Sequence, residues 1–183
     1  GLPLVLVANR DEFLDRAATG PELLATAPRI VGGRDLQAGG TWLAISEHGI
    51  VAGLLNRRTG ALPLASRRSR GELPMLALQA GSATTAAARI RVLDGDAYNA
   101  FNLLVADRDE AWVAQNHADG VRLTTLPPGL HLVSNLDVND PTCPKIARSH
   151  TRFVDAGDAF ARDRDEDRFR RELHAIVADH TLT

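Results

Sequence analysis

Four hydrogen-bonding side chains in a row, Asn9-Arg10-Asp11-Glu12, close the short apolar run Leu4 to Ala8. Such a block is either a solvated strand end with local ion pairs or the polar mouth of a site. Two asparagines also stand at the ends of apolar runs: Asn56 after Val51–Leu55 and Asn135 after Leu132–Ser134. An asparagine there can cap a turn, or it can aim an amide N–H at a developing oxyanion. Position alone leaves both readings open. The remaining chemistry is thinner. Gly32-Gly33 and Gly39-Gly40 do not form a phosphate-binding GxGxxG. The six histidines (48, 117, 131, 150, 174 and 180) lack ligand spacing, and no metal site is expected. Cys143 sits after Asp140-Pro141, where a loop thiol without catalytic duty is expected, and no Gly-x-Ser-x-Gly elbow occurs.

The elements that must position these residues follow from periodicity. Leu4–Ala8 reads as a buried strand delivering the polar block. The two glycine pairs bracket a loop, and Thr41–Ser46 and Ile50–Leu55 form a hairpin across His48-Gly49. Ser69-Arg-Gly-Glu72 fits a capping box ahead of a helix, with Pro74 late in its first turn. Ser82–Leu93 predicts a second, alanine-rich helix. Phe101–Ala106, Glu110–Gln115 and Val121–Leu126 predict a meander, and Leu130–Asn135 a further strand. Two helices end the chain, one from Pro144 and one from the acidic segment Asp163–Asp167, which puts Phe169, Leu173, Ile176 and Val177 on one face. The order predicts one α+β layered domain over residues 1–183.

Composition narrows the function classes. With 183 residues, 44% hydrophobic and 24% charged, the chain suits a globular core without staples. A formal charge of −2 and 4% aromatic residues argue against nucleic-acid binding. Leu2–Ala8 is too short to span a membrane and lacks the flanks of a signal peptide. One cysteine fits a reducing, cytoplasmic setting. Lys145 is the only lysine among 21 basic residues and alanine is abundant, which points to a GC-rich bacterial source.

Several blocks together resemble the NRDE-motif family, of the transport-and-Golgi-organisation kind. They are Asn9–Phe13, Gly32–Asp35, Ala38–Leu43, Ser69–Glu72, Tyr98–Val105, Pro127–Leu130, Ser134-Asn135 and Pro144-Lys145. That family is similar to N-terminal-nucleophile hydrolases of the cholylglycine-hydrolase and penicillin-acylase group. The resemblance implies a four-layer αββα sandwich of two antiparallel sheets. It also implies a cysteine at residue one that attacks an amide carbonyl, its own α-amine acting as base. Asn9, Arg10, Asp11 and Glu12 occupy the region where an arginine favours the thiolate and a carboxylate orients the amine, with the roles within the block open. Asn56 and Asn135 resemble the two oxyanion-hole asparagines.

This chain opens at Gly1, whereas family members begin with Met-Cys, and it stops at Thr183, before a Thr-Arg-Ser-Ser segment usual in the family. The expectation is therefore a chain incomplete at both ends and inactive as given. Two functions compete. One is an amidohydrolase of an acyl-amide C–N bond, needing no cofactor. The other is a non-catalytic carrier of haem or acyl-CoA-like lipids, for which no histidine offers a clear axial ligand. The expected sheets place Leu4–Ala8, Thr41–Ser46 and Ile50–Leu55 together, with Phe101–Val105 and Leu130–Ser134 facing them. Asn9–Glu12, Asn56 and Asn135 are expected to share a cleft.

Overall fold

The computed structural model of the protein describes residues 2–10, 12, 13 and 15–179. Two compact units divide the chain. The first is built on Glu12–Pro127; the second joins the described residues of Leu4–Asp11 and of Pro128–Thr183.

In the first unit seven strands form one antiparallel sheet whose spatial order is the chain order. They are β1 (Ala18–Thr26), β2 (Arg29–Asp35), β3 (Leu43–Ser46), β4 (Val51–Asn56), β5 (Phe101–Ala106), β6 (Ala111–His117) and β7 (Gly120–Thr125). Between β4 and β5 run α1 (Glu72–Leu78) and α2 (Ala83–Arg91), followed by a 3-10 turn at Gly95–Ala97. The expected α+β class and antiparallel pairing are found. Both helices pack on one face of the sheet.

Small residues make that packing close. Gly32, Ala44, Ala52 and Val105 are successive cross-strand partners on the helix-covered face. Ala83, Ala86, Ala87 and Ile90 of α2 recur at i, i+3, i+4 and i+7 and are buried. Leu73, Leu78, Ile90, Phe101 and Leu103 are fully buried, each worth about 1.5–3 kcal/mol of transfer free energy. The opposite face carries a second cross-strand row, Leu23–Val31–Ile45–Val51. Its first three members are 52%, 42% and 47% exposed.

The start of α2 is fixed from two sides. Ser82 caps it by accepting the Thr85 amide at 3.2 Å, and Asp107 accepts the Ala83 amide at 2.7 Å. Asp107 also takes the Asp109 and Glu110 amides at 2.9 and 3.0 Å, tying the β5–β6 turn to the helix.

The second unit holds α3 (Pro144–Asp163) and α4 (Glu166–Val177), packed together with Phe160 and Phe169 stacked at 4.6 Å. Proline opens α3 at a position where no amide is needed, and Asp165 caps α4 by accepting the Arg168 amide at 2.8 Å.

Several expectations need correction. Leu4–Ala8 is not a strand; within its unit it lines a groove with Leu173, His174 and Val177 of α4, where no sheet edge is offered to it. The glycine pairs do not bracket a loop, because Gly32 and Gly33 lie inside β2, paired to β1. Phe101–Ala106 does not belong to a facing sheet; every residue of β4 pairs with it. Leu130–Asn135 is not a strand either. Leu132 instead exchanges hydrogen bonds with Asn139, whose Oδ1 accepts its amide at 2.8 Å and whose amide donates to its carbonyl at 2.8 Å. Ser69 and Glu72 make no capping box: α1 starts at Glu72, Gly71 is its cap, and the Ser69 hydroxyl accepts the Gly71 amide at 3.3 Å while its carbonyl accepts the Glu72 amide at 3.3 Å.

Candidate functional site

One end of the sheet gathers most of the polar blocks. There β1 begins, β2 ends, β3 begins, β4 ends and β5 begins, so that Ala18 faces Asp35, Leu43 faces Gly53 and Asn56 faces Phe101. Antiparallel pairing in chain order brings these termini together although they lie far apart in sequence.

Arg16, just ahead of β1, is the hub. Its Nη2 and Nε donate to Asp35 Oδ2 at 2.6 and 2.9 Å, and its Nη1 lies 3.5 Å from Glu12. The other Asp35 oxygen accepts the Gln37 and Ala38 amides at 3.0 and 3.2 Å. Burial pushes the Asp35 carboxyl up, but Arg16 and the two amides outweigh it and hold the pKa below its ordinary value. The hydrogen bond to Asp35 raises the Arg16 pKa in turn.

Backbone approach locks the neighbouring loops. Gly40 has φ +76°, and a Cβ there would stand 2.3 Å from the Gly71 carbonyl oxygen. Thr41 donates its amide to that same oxygen at 3.1 Å. Gly33 is equally constrained, since a Cβ would meet the Trp42 ring at 2.4 Å. The glycine blocks and the Ser69–Glu72 block therefore form one rigid floor.

Arg70 rises from that floor and donates from Nη1 to the Ala100 carbonyl at 3.0 Å. The Arg57 amide, next to Asn56, donates to the same carbonyl at 3.1 Å. Burial lowers the Arg70 pKa, Glu12 raises it and Arg16 lowers it. Arg70 thus feels the charges of Glu12 and Arg16 while its hydrogen bond ties it to the strand end that carries Asn56. Beside it, Arg68 pairs with Glu72 at 2.5 Å and stacks over the Tyr98 ring at 5.3 Å.

Of the sequence-predicted site residues, Glu12 and Asn56 belong to this unit, and Asn56 is exposed. Asn9, Arg10 and Asn135 belong to the second unit, where Asn9 Nδ2 donates to the Val177 carbonyl of α4 at 2.5 Å. Asp11 lies outside the described residues. Arg16, Asp35 and Arg70 were not singled out from the sequence. Asp35 and Arg70 were already visible inside quoted blocks, whereas Arg16 carries no local signal. Cys143 is buried at the N-cap of α3. Among the described residues no three His, Cys, Asp or Glu side chains are grouped to hold a metal ion, and no helix is long and apolar enough to cross a membrane.

The family model described as "Transport and Golgi organisation 2" (TANGO2) matches residues 1–183. The chain belongs to that family. A human family member, a transport and Golgi organization protein 2 homolog, is 32% identical over 148 residues, covering 75% of this chain and 52% of its own length. The bovine homolog is 36% identical over 107 residues, covering 57% of this chain and 38% of its own. The Drosophila melanogaster protein is 48% identical over 50 residues, or 26% of this chain and 18% of its own. The chain thus spans about half or less of the length of these family members. They are animal proteins and lend no support to a bacterial source. Among solved structures, a variant of conjugated bile acid hydrolase from Clostridium perfringens matches with a TM-score of 0.40 and 8% identity, covering 54% of this chain and 36% of that one.

Proposed function

We propose that the complete protein is an N-terminal cysteine hydrolase that cleaves an acyl-amide C–N bond. The observation that supports it best is the gathering of Glu12, Asp35 and Arg70, from three family blocks, with the Asn56 strand end at one end of the sheet. Charged and amide groups held on a rigid floor are what acyl transfer requires. In this reading the cysteine thiol gives its proton to the α-amine and its sulfur attacks the carbonyl carbon. Asn56 and Asn135 donate N–H groups to the oxyanion. The C–N bond then breaks as the leaving nitrogen takes the proton back, and water hydrolyses the thioester. Arg10 favours the thiolate, and carboxylates of the Asn9–Glu12 block orient the amine.

The same proposal extends to architecture. The helix-free face of the sheet exposes Leu23, Val31 and Ile45, an apolar row suited to a second sheet about 10 Å above it. That packing gives the αββα sandwich, with residues 1–183 within one domain of the complete protein, working in a reducing cytoplasm.

A protein extended at its N-terminus so that a cysteine is its first residue tests the enzyme. The new cysteine is expected to alkylate with iodoacetamide faster than the buried Cys143, and Arg10→Ala to slow that reaction. A first-residue cysteine that titrates as a free thiol, with no acyl adduct from amide substrates, sinks the hydrolase.

The second reading, a carrier for haem or acyl-CoA-like lipids, is favoured by the groove of the second unit. Leu4–Ala8, Leu173 and Val177 line about 630 Å³ there, with His174 at its wall. Saturable binding of such a ligand, lost in Leu173→Asp but unaffected by blocking the cysteine, would decide for the carrier.

A further inference from the structure

The connection between β4 and α1 runs from Arg57 to Gly71 with five arginines and no acidic residue. Arg67 and Arg68 have carboxylates, Asp96 at 3.9 Å and Glu72 at 2.5 Å. Arg70 differs from them. It is half-buried, its hydrogen bond goes to the Ala100 carbonyl, and among the described residues no carboxylate stands within ion-pair distance of it. Glu12, the carboxylate whose field reaches it, is engaged by Arg16.

A guanidinium with one neutral acceptor is poorly compensated when taken out of water. The Ala100 bond uses Nη1, which leaves the Nε–Nη2 edge without a protein acceptor among the described residues. Two parallel N–H groups on one edge match the two oxygens of a carboxylate. The edge is also held in place. Arg70 is followed by Gly71, whose carbonyl takes the Thr41 amide and lies against Gly40. The cationic connection adds a field that favours an anion at this position.

We propose that Arg70 binds a carboxylate of the ligand by its free edge, beside the strand end that carries Asn56. The inference deepens the hydrolase reading and rests on it for identifying the anion as part of the substrate. That substrate is then an acyl amide with a carboxylate a few bonds from the scissile carbonyl, of the N-acyl amino acid type.

Binding can be read without turnover. The complete protein with its cysteine alkylated is titrated with hexanoate, hexanamide and inorganic phosphate, following arginine Nε–Hε resonances. Hexanoate is expected to shift, saturably, a resonance that is missing in Arg70→Lys. Hexanamide is expected to bind at least about tenfold more weakly, as is hexanoate to Arg70→Lys, because lysine keeps the charge and loses the fork. Equal affinity for hexanamide, undiminished affinity in a folded Arg70→Lys, tighter binding of phosphate, or no saturation each overturns the proposal. The comparison of hexanoate with hexanamide decides it even where the variant does not fold. Carboxylate binding at Arg70 with no hydrolysis of any amide removes the enzyme but keeps this site. Hydrolysis of N-acyl amino acids at an unchanged KM in Arg70→Lys removes the site but keeps the enzyme.

Discussion

Asp35 and Asp107 do similar work with different partners. Each collects backbone amides that nothing else satisfies, and Asp35 adds a guanidinium. Asp35→Ala is expected to cost about 2 kcal/mol, since it removes two hydrogen bonds of Arg16 and the acceptor of two amides in a half-buried setting. Asp107→Ala should cost about 1–2 kcal/mol through the lost α2 contact and the loosened turn. Urea midpoints check both. For Asp107, as for Asp35, burial opposes ionisation but the hydrogen bonds prevail, and both folded pKa values lie below the ordinary 3.8. Their stabilisation is therefore fully present above that value and lost as pH falls through the folded pKa. Wild-type midpoints should drop below about pH 4, and a double Asp35→Asn, Asp107→Asn protein should show a flatter acid limb. An unchanged limb would mean that neither carboxylate is held in this way.

Among the elements, the tightest junction joins Gly39–Thr41 to Gly71. Gly40→Ala combines a positive φ with a Cβ 2.3 Å from a carbonyl oxygen, and relief requires the two loops to part. A loss of at least about 2 kcal/mol is expected, with the Arg70 Nε–Hε resonance displaced. Gly39→Ala, with open space around its Cβ, should cost only the strain of its φ of +70°. Elements were readable from sequence where local chemistry agreed with the fold. The hairpin of β3 and β4, the β5–β7 meander, the alanine-rich α2, and α3 opening at Pro144 all appear near their expected bounds. The first hairpin was hidden because Gly20-Pro21 and Gly32-Gly33 break the alternation of apolar residues, while the close approach of Ala44 and Trp42 requires those same glycines in β2. The apolar Leu4–Ala8 misled in the opposite sense, since apolarity predicts burial but not a strand partner. The candidate site was readable as blocks and unreadable as contacts. Nothing local to Arg16 announces its bridge to Asp35, nineteen residues on.

At the scale of the whole molecule, the exposed row Leu23–Val31–Ile45 gives the proposed second sheet its sharpest test. In this chain alone, Val31→Glu should move stability by no more than about 0.5 kcal/mol, as for an exposed site. In the complete protein the same change should cost about 3 kcal/mol or more, because it would place a charge between sheets. Equal effects in the two lengths would argue against a covering layer. The chain-ordered sheet has a different consequence, for how the molecule comes into being. Each strand pairs with the one made just before it, so β1 to β4 can close in sequence as they leave the ribosome, without waiting for distant partners. Only the β4–β5 pairing must wait, for residues 57–100 to emerge first, and that segment carries both helices of the core as well as Arg70. The floor that positions the polar groups is then assembled only after β1 to β4 have emerged. Amide protection in stalled nascent chains should accordingly appear in β2 and β3 before it appears at Gly71.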